Sequence, residues 1–277
     1  MALQRSANRI AAILCAVMGL TLAGFAPAAW AECAKPYVMD GLRIVPAAWT
    51  TPAQAESPTV DLYYVGHSTF LLQSPAGVKI VTDYNDFVRA PVVPDIVTMN
   101  IAHTTHYSTR VPATVKFALQ GWGTPEKPAV HNLNYLDVYV RNVSTNIRDF
   151  AGGTQVNGNS IFVYELGDLC VAHLGHLHHR LTKEQLEILG QIDVVLVPVD
   201  GFLTLGQEFM LDVLDSIHAP LAIPMHAQNP GTLRRFIALM LADPRLQYTV
   251  KTQSSSQIKI SRATLPVKPE FLILPGF

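Results

Sequence analysis

The pattern of apolar and polar positions divides the chain into a strand-rich first half and a second half in which strands alternate with helices. Short alternating runs at 61–65, 68–73 and 78–82 read as strands, with a turn at Pro75-Ala76-Gly77 between the last two. Another strand is expected at 95–99, after a loop marked by Pro91 and Pro94. Segment 111–119 carries weak helical periodicity, with Pro112 suited to a first turn, and 136–143 alternates as a strand. A glycine-rich connection spans 146–158, and 160–165 pairs with 169–172 as a hairpin over the Gly167-Asp168 turn. The run 194–199, Val-Val-Leu-Val-Pro-Val, is unbroken and apolar, which suits a strand covered on both faces. Helices are expected at 182–189, between the cap Thr182 and the stop Gly190, and at 205–217 and 231–242. Strands at 221–224, 247–251 and 258–261 complete the order. Two packed sheets with helices on their outer faces accommodate it best, an α/β architecture.

Composition bounds the partners. With 49% hydrophobic and 15% charged residues, the 277-residue chain can bury a sizeable core. Twenty basic residues stand against 21 acidic ones, and the net charge of −1 directs the chain neither to nucleic acid nor to an anionic membrane. A small-molecule substrate is expected, and the oligomeric state is not legible.

The first 31 residues stand apart. Arg5 and Arg9 precede an almost wholly apolar stretch, 10–26, and Ala29-Trp30-Ala31 is a small-residue cleavage site. Residues 1–31 therefore read as a signal peptide, with a retained anchor as the alternative. Export to the periplasm or the medium is expected, with no membrane contact after leader removal. Residues 32–58, rich in Ala, Pro and Thr, read as an extended lead-in, and 59–277 as the folded domain. Cys15 lies in the leader, which leaves Cys33 and Cys170. An oxidising compartment would let them pair, but the apolar run around Cys170 favours a buried, inert thiol and a frayed Cys33.

Histidines gather where strands end. Segment 169–181, Leu-Cys-Val-Ala-His-Leu-Gly-His-Leu-His-His-Arg-Leu, holds His173, His176, His178 and His179, four of the ten. It begins as an apolar strand, breaks at Gly175 and turns toward a helix. His103 and His106 follow the run Ile96-Val97-Thr98-Met99, and His226 ends the run 221–225. Strand ends are where α/β folds place binding and catalytic groups, so a metal site is the first hypothesis.

Four groups of residues carry a resemblance. They are Gly66-His67-Ser68-Thr69-Phe70 with Ile80-Val81-Thr82-Asp83; Asn159-Ser160-Ile161-Phe162-Val163 with Val171-Ala172-His173-Leu174-Gly175; 192–199 with Asp200-Gly201; and Ile223-Pro224-Met225-His226. In these segments the chain resembles the metallo-β-lactamase superfamily, and most closely its branch of small metal-dependent hydrolases that includes ascorbate-6-phosphate lactonase. The similarity runs from about Asp61 to His226. It implies a four-layer αββα sandwich of mixed sheets with helices on the outer faces.

The metal motif departs from that family. Its H-x-H-x-D-H signature reads His103-Thr104-Thr105-His106-Tyr107-Ser108, with only the first histidine in place. Arg148 stands near the next ligand position, His176 replaces the bridging aspartate, and His226 keeps the last ligand. A two-ion centre needs the lost aspartates. One divalent transition-metal ion is therefore expected on His103, His106, His176 and His226: Zn²⁺ first, with Fe²⁺, Mn²⁺, Ni²⁺ and Cu²⁺ as alternatives. Three imidazoles and a water make a hydrolytic centre, whereas four leave less room for water.

Asp200 is the candidate proton carrier or carboxylate ligand, against a plain turn aspartate beside Gly201. Arg148 is the candidate grip on an anionic group, or a cation that repels a metal. Asp83 is expected behind a ligand histidine, His67 near the site without binding, and His173 in a buried hydrogen bond. His178 and His179 are expected in a solvated turn, and His131 and His218 have no identified partner. The expected function is an exported metal-dependent hydrolase acting by metal-activated water on an ester, lactone or phosphodiester. The alternative is a non-catalytic metal- or ligand-binding protein on a disabled hydrolase fold.

Overall fold

The computed structural model describes Cys33, residues 57–149 and residues 151–276. The expected leader, 1–31, and the lead-in apart from Cys33 and residues 57–58 lie outside the described residues. Strands β1 (Val60–Gly66), β2 (Thr69–Gln73), β3 (Lys79–Val81), β4 (Ile96–Met99) and β5 (Phe117–Gln120) come first. Then follow β6 (Asn132–Tyr135), β7 (Val138–Arg148), β8 (Thr154–Leu166), β9 (Leu169–His173) and helix α1 (Lys183–Leu189). Strand β10 (Val194–Pro198), helix α2 (Gln207–Ile217), β11 (Leu221–Met225) and helix α3 (Pro230–Ala242) alternate, ahead of β12 (Thr249–Thr252), β13 (Gln257–Ile260) and β14 (Glu270–Ile273). The strands form a six-stranded sheet, β13-β1-β2-β3-β4-β5, and an eight-stranded one, β12-β14-β11-β10-β9-β8-β7-β6.

Side-chain parity explains why these runs pack as they do. On β8 and β10, Phe162, Tyr164, Val194 and Leu196 face the six-stranded sheet, where they meet Leu62, Phe70, Leu72, Ile80 and Ile96. Their neighbours Ile161, Val163, Val195 and Val197 face the other way, onto Met210 and Leu214 of α2 and Phe236 and Met240 of α3. Every residue of β10 is thus buried, as its unbroken apolar run requires. Full burial of one such leucine contributes about 1.5–3 kcal/mol.

The described helices all serve the eight-stranded sheet. The outer face of the six-stranded sheet, with Val81, Tyr84, Val97 and Met99, is covered by Tyr107, Val111, Val115 and Trp122 from connecting segments. The helix expected at 111–119 is absent; Phe117–Gln120 pairs in parallel with β4, from Ile96↔Phe117 to Met99↔Gln120. Its weak periodicity yields to a strand edge that satisfies backbone groups. Likewise β7 and β8 pair deep into the expected 146–158 connection, as far as Arg148↔Thr154, past an irregularity between Thr145 and Ile147.

Two details fix the second sheet. Arg141 is buried and donates to Ile188 O and Leu189 O at the end of α1, both at 2.7 Å, while its Nε lies 3.3 Å from Glu165 Oε1. Cys33 and Cys170 form a disulfide with Cα atoms 5.8 Å apart, and Cys33 O accepts from Gln191 N at 3.0 Å. This corrects the expectation of unpaired thiols: Cys170 is buried because its partner is packed in the same apolar cluster.

Strands β3, β4 and β5 run parallel, as do β9, β10 and β11. Their carboxyl ends, together with the β1–β2 turn, bring the histidine-bearing segments to one place.

Candidate metal centre

Each element delivers one or two groups. The tight turn after β1 supplies His67 at φ +54°, the end of β3 supplies Asp83 at +43°, and the end of β11 supplies His226 at +57°. These left-handed conformations are costly for residues with a Cβ and cluster where backbone is held for function. The turn is locked to β11, because His226 N donates to His67 O at 2.7 Å. After β4, Asn100 donates to Asp83 Oδ1 at 3.1 Å and accepts Ser160 N at 2.8 Å, and the following loop carries His103 and His106. Gly175, at φ +61°, turns β9 into the site. A Cβ there would lie 2.5 Å from Asn159 Oδ1 and 2.6 Å from Asn100 Nδ2.

Among the described residues, His67, His103, His106 and His226 form a group whose ligand atoms all lie within 4.8 Å of one another. His106 is fixed from behind by Asp83, with Nδ1 2.5 Å from Oδ2, and His226 by Asp200, with Nδ1 3.1 Å from Oδ1. With both carboxylates ionised, each ring carries its proton on Nδ1. Two Nε2 lone pairs then face each other across 3.2 Å, an arrangement that a cation between them resolves. Nitrogens about 3.3 Å apart are what tetrahedral coordination at about 2.05 Å demands. The donor set therefore fits a nitrogen-rich divalent ion.

Burial shapes the electrostatics. It pushes His106 and His176 well below the usual imidazole value and His67 down to about 4, with His226 adding to the shift at His67. Burial also raises the Asp83 carboxyl, against the pull of His173 and of hydrogen bonds from Asn100 and Ser68. At Asp200 burial acts upward too, but hydrogen bonds from His226, Thr204 and the Phe202 amide outweigh it and hold the carboxyl well below the usual range.

Four residues stand in settings other than those expected from sequence. His176 stands beside the four-residue group, and His67 takes a place in it. The Nδ1 of His176 is 2.5 Å from His178 Nε2 and its Nε2 is 3.0 Å from His103 Nε2, while its amide is held by Asn159 Oδ1 at 2.8 Å. Asp200, expected as a proton carrier or a ligand, is surrounded by donors in this arrangement. Oδ2 accepts from the amides of Phe202, Leu203 and Thr204, and Oδ1 from Thr204 Oγ1 as well as His226. Arg148 grips the protein, not an anion, donating to Phe202 O at 3.1 Å and Thr204 O at 2.6 Å.

Other expectations fare differently. Asp83 lies behind His106, and His173 makes a buried bond to Ser68 O at 2.8 Å. His178 is buried, not solvated, and His179 is half-buried. His131 bonds Gln120 O at 2.7 Å. Thr105 escapes a reading that looks for ligands, yet its hydroxyl joins His67 Nε2 at 3.0 Å to His103 Nδ1 at 2.8 Å. The signal for His67 was its place after Gly66, where a sharp turn aims a side chain across the strand end.

Comparison with known proteins gives the same frame. The family model described as a beta-lactamase superfamily domain matches residues 61–226 and so ends at His226. A UPF0173 protein of Pyrococcus abyssi is 26% identical over 199 residues, 62% of this chain and 85% of its own length. A protein of Thermotoga maritima, described as a Zn-dependent hydrolase of the metallo-beta-lactamase superfamily, is 26% identical. The match covers 78% of this chain and 98% of that one, with a TM-score of 0.55. A protein described as a metal-dependent hydrolase of Parabacteroides distasonis shares the fold at 12% identity, over 68% of this chain and 91% of its own, with a TM-score of 0.52.

Proposed function

The chain belongs to the beta-lactamase superfamily, and from that premise we propose that it is an exported metal-dependent hydrolase holding one divalent transition-metal ion on His67, His103, His106 and His226. The carrying observation is the pair of Nε2 atoms 3.2 Å apart, each on a ring anchored from behind by a carboxylate. A bound ion would supply Lewis acidity, and an acidified water where it takes a fifth ligand beside the four imidazoles. The chain's own groups do the rest. Burial lowers the affinity of His67, His103 and His106 for protons, which weakens the competition for their lone pairs. Asp83 and Asp200 keep His106 and His226 in the ligating tautomer, and Thr105 ties His67 to His103.

The substrate is proposed to be a small ester or lactone. Arg148, the candidate for a second cation beside the ion to grip a phosphodiester, is engaged with two backbone carbonyls. Export is supported by the Cys33–Cys170 disulfide, a bond that persists in oxidising compartments, and by the leader-like start of the sequence. The test is metal content per chain, together with hydrolysis of ester, lactone and phosphodiester panels by wild type and His226→Ala, with and without added metal. Metal-dependent ester or lactone turnover that His226→Ala abolishes is expected. Absence of any metal-dependent turnover refutes the hydrolase and leaves a binding protein.

A further inference from the structure

We propose that His176 is a hydrogen-bond donor of this centre and not one of its ligands: its Nε2–H is held ready for the oxyanion that forms on the substrate. The proposal rests on the hydrolase reading above. Its starting point is a backbone amide, which can only donate. Arg148 N donates to His178 Nδ1 at 2.7 Å, and Arg148 Nε approaches the same atom at 3.3 Å. That nitrogen is therefore a lone pair, and the His178 proton sits on Nε2.

The same logic passes along the rings. His178 Nε2 lies 2.5 Å from His176 Nδ1, so His176 accepts there and carries its own proton on Nε2. His176 Nε2 lies 3.0 Å from His103 Nε2, which accepts and leaves the His103 proton on Nδ1. That proton goes to Thr105 Oγ1 at 2.8 Å, and the hydroxyl donates onward to His67 Nε2 at 3.0 Å. All these bonds run one way, from Arg148 to His67. Their outcome separates the five rings into two kinds. His67 and His103 carry unprotonated Nε2 atoms whose lone pairs accept from Thr105 and His176, His106 and His226 carry unprotonated Nε2 atoms opposite their carboxylates, and His176 presents an N–H.

Reversing His176 is blocked. A proton on its Nδ1 would face the N–H of His178, and moving the His178 proton to Nδ1 would press an N–H against the Arg148 amide. Arg148 is itself pinned through Phe202 O and Thr204 O. A ligating nitrogen must be unprotonated, so His176 is excluded from the ligand set by its neighbours. When an ion takes the His103 lone pair, the His176 N–H loses its acceptor in a buried place.

In the reaction proposed, the oxygen of water adds to the substrate carbonyl carbon and the C=O π pair moves onto the carbonyl oxygen. The His176 N–H bonds that oxygen without giving up its proton. The pair returns as the bond to the leaving oxygen breaks, and the proton lost by the attacking water ends on the leaving group.

The test has three arms on the full chain. Long-range 15N–1H correlation on metal-free protein should show His176 and His178 protonated at Nε2 and bare at Nδ1. Metal loading should leave the His176 pattern in place while shifting Nε2 of His67, His103, His106 and His226. His176→Phe should retain the ion, without even the about 10-fold to 100-fold loss of affinity typical of removing an outer partner. Its kcat should fall about 100-fold with little change in KM, and His176→Gln, which keeps an N–H, should recover part of the loss. An Nδ1–H on His176, loss of its Nε2 proton on metal loading, or loss of the ion in His176→Phe overturns the proposal. Ring pattern and metal content are read without substrate. Absent turnover in the wild type thus strikes the hydrolase reading, while these two measurements still decide the role of His176.

Discussion

Replacing Asp200 with Asn isolates the part of the site that fixes a tautomer. In the native protein Oδ2 accepts three amides, from Phe202 at 3.0 Å, Leu203 at 2.6 Å and Thr204 at 3.1 Å. Oδ1 accepts Thr204 Oγ1 at 2.5 Å and His226 Nδ1 at 3.1 Å. The asparagine carbonyl is expected to stay with the three amides, which places its NH₂ toward His226. The imidazole can accept that donor only by moving its proton from Nδ1 to Nε2, the nitrogen that lies 3.2 Å from His106 Nε2. The ligand lone pair is then lost unless the ring breaks its contact. Outer-partner changes of this kind typically weaken metal binding about 10-fold to 100-fold, or about 1.4–2.8 kcal/mol. Neutralising the carboxylate also turns charge-assisted bonds into neutral ones, which should remove about 2 kcal/mol of fold stability. Competition for the ion against a chromophoric chelator at neutral pH, beside a thermal melt, separates the two effects. A folded Asp200→Asn protein that binds metal as wild type does would refute the reasoning.

Three further outcomes are expected. Cys33→Ser removes a cross-link spanning 137 residues and should lower stability by up to about 5 kcal/mol in the loop-entropy account, read from the urea midpoint. Metal-free protein should lose stability as pH falls from about 6.5 to about 4. The folded values of His67 and His178, both lowered to about 4, lie below the unfolded one, so the unfolded chain binds more protons in that window. The effect should be at most about 3 kcal/mol per ring before solvent screening, and urea midpoints measured across that range that do not fall would count against it. Arg141→Ala removes the cation beside Glu165 and the donors to Ile188 O and Leu189 O. It should cost about 3 kcal/mol and loosen α1, measured by denaturation and amide exchange.

The sequence carried much of the fold because its strongest signals were local. The unbroken apolar run of β10, the hairpin of β8 and β9, and the capped helix at Lys183–Leu189 all form where their patterns indicate. Strand β5 and the far ends of β7 and β8 were hidden, since their pairing depends on a distant neighbour and their residues are polar or mixed. At the site, histidine clustering at strand ends was legible, but the division of labour among the rings was not. Whether His67 or His176 offers a lone pair depends on which atom faces it, and that in turn on a turn conformation and a backbone amide contributed from β7. The surroundings of Arg148 and Asp200 were hidden for the same reason. A charged side chain reads as reactive until the carbonyls and amides around it are counted.

His67, Asp83 and His226 share a backbone conformation that residues with a Cβ avoid, at about 1–2 kcal/mol each. A laboratory search for heat-resistant variants would be drawn to these positions, where glycine or asparagine relieves the discomfort. The variants it returned would set that relief against the lost hydrogen bonds of Asp83 and His226 and would capture metal poorly, so backbone comfort and occupancy oppose each other at the same three residues.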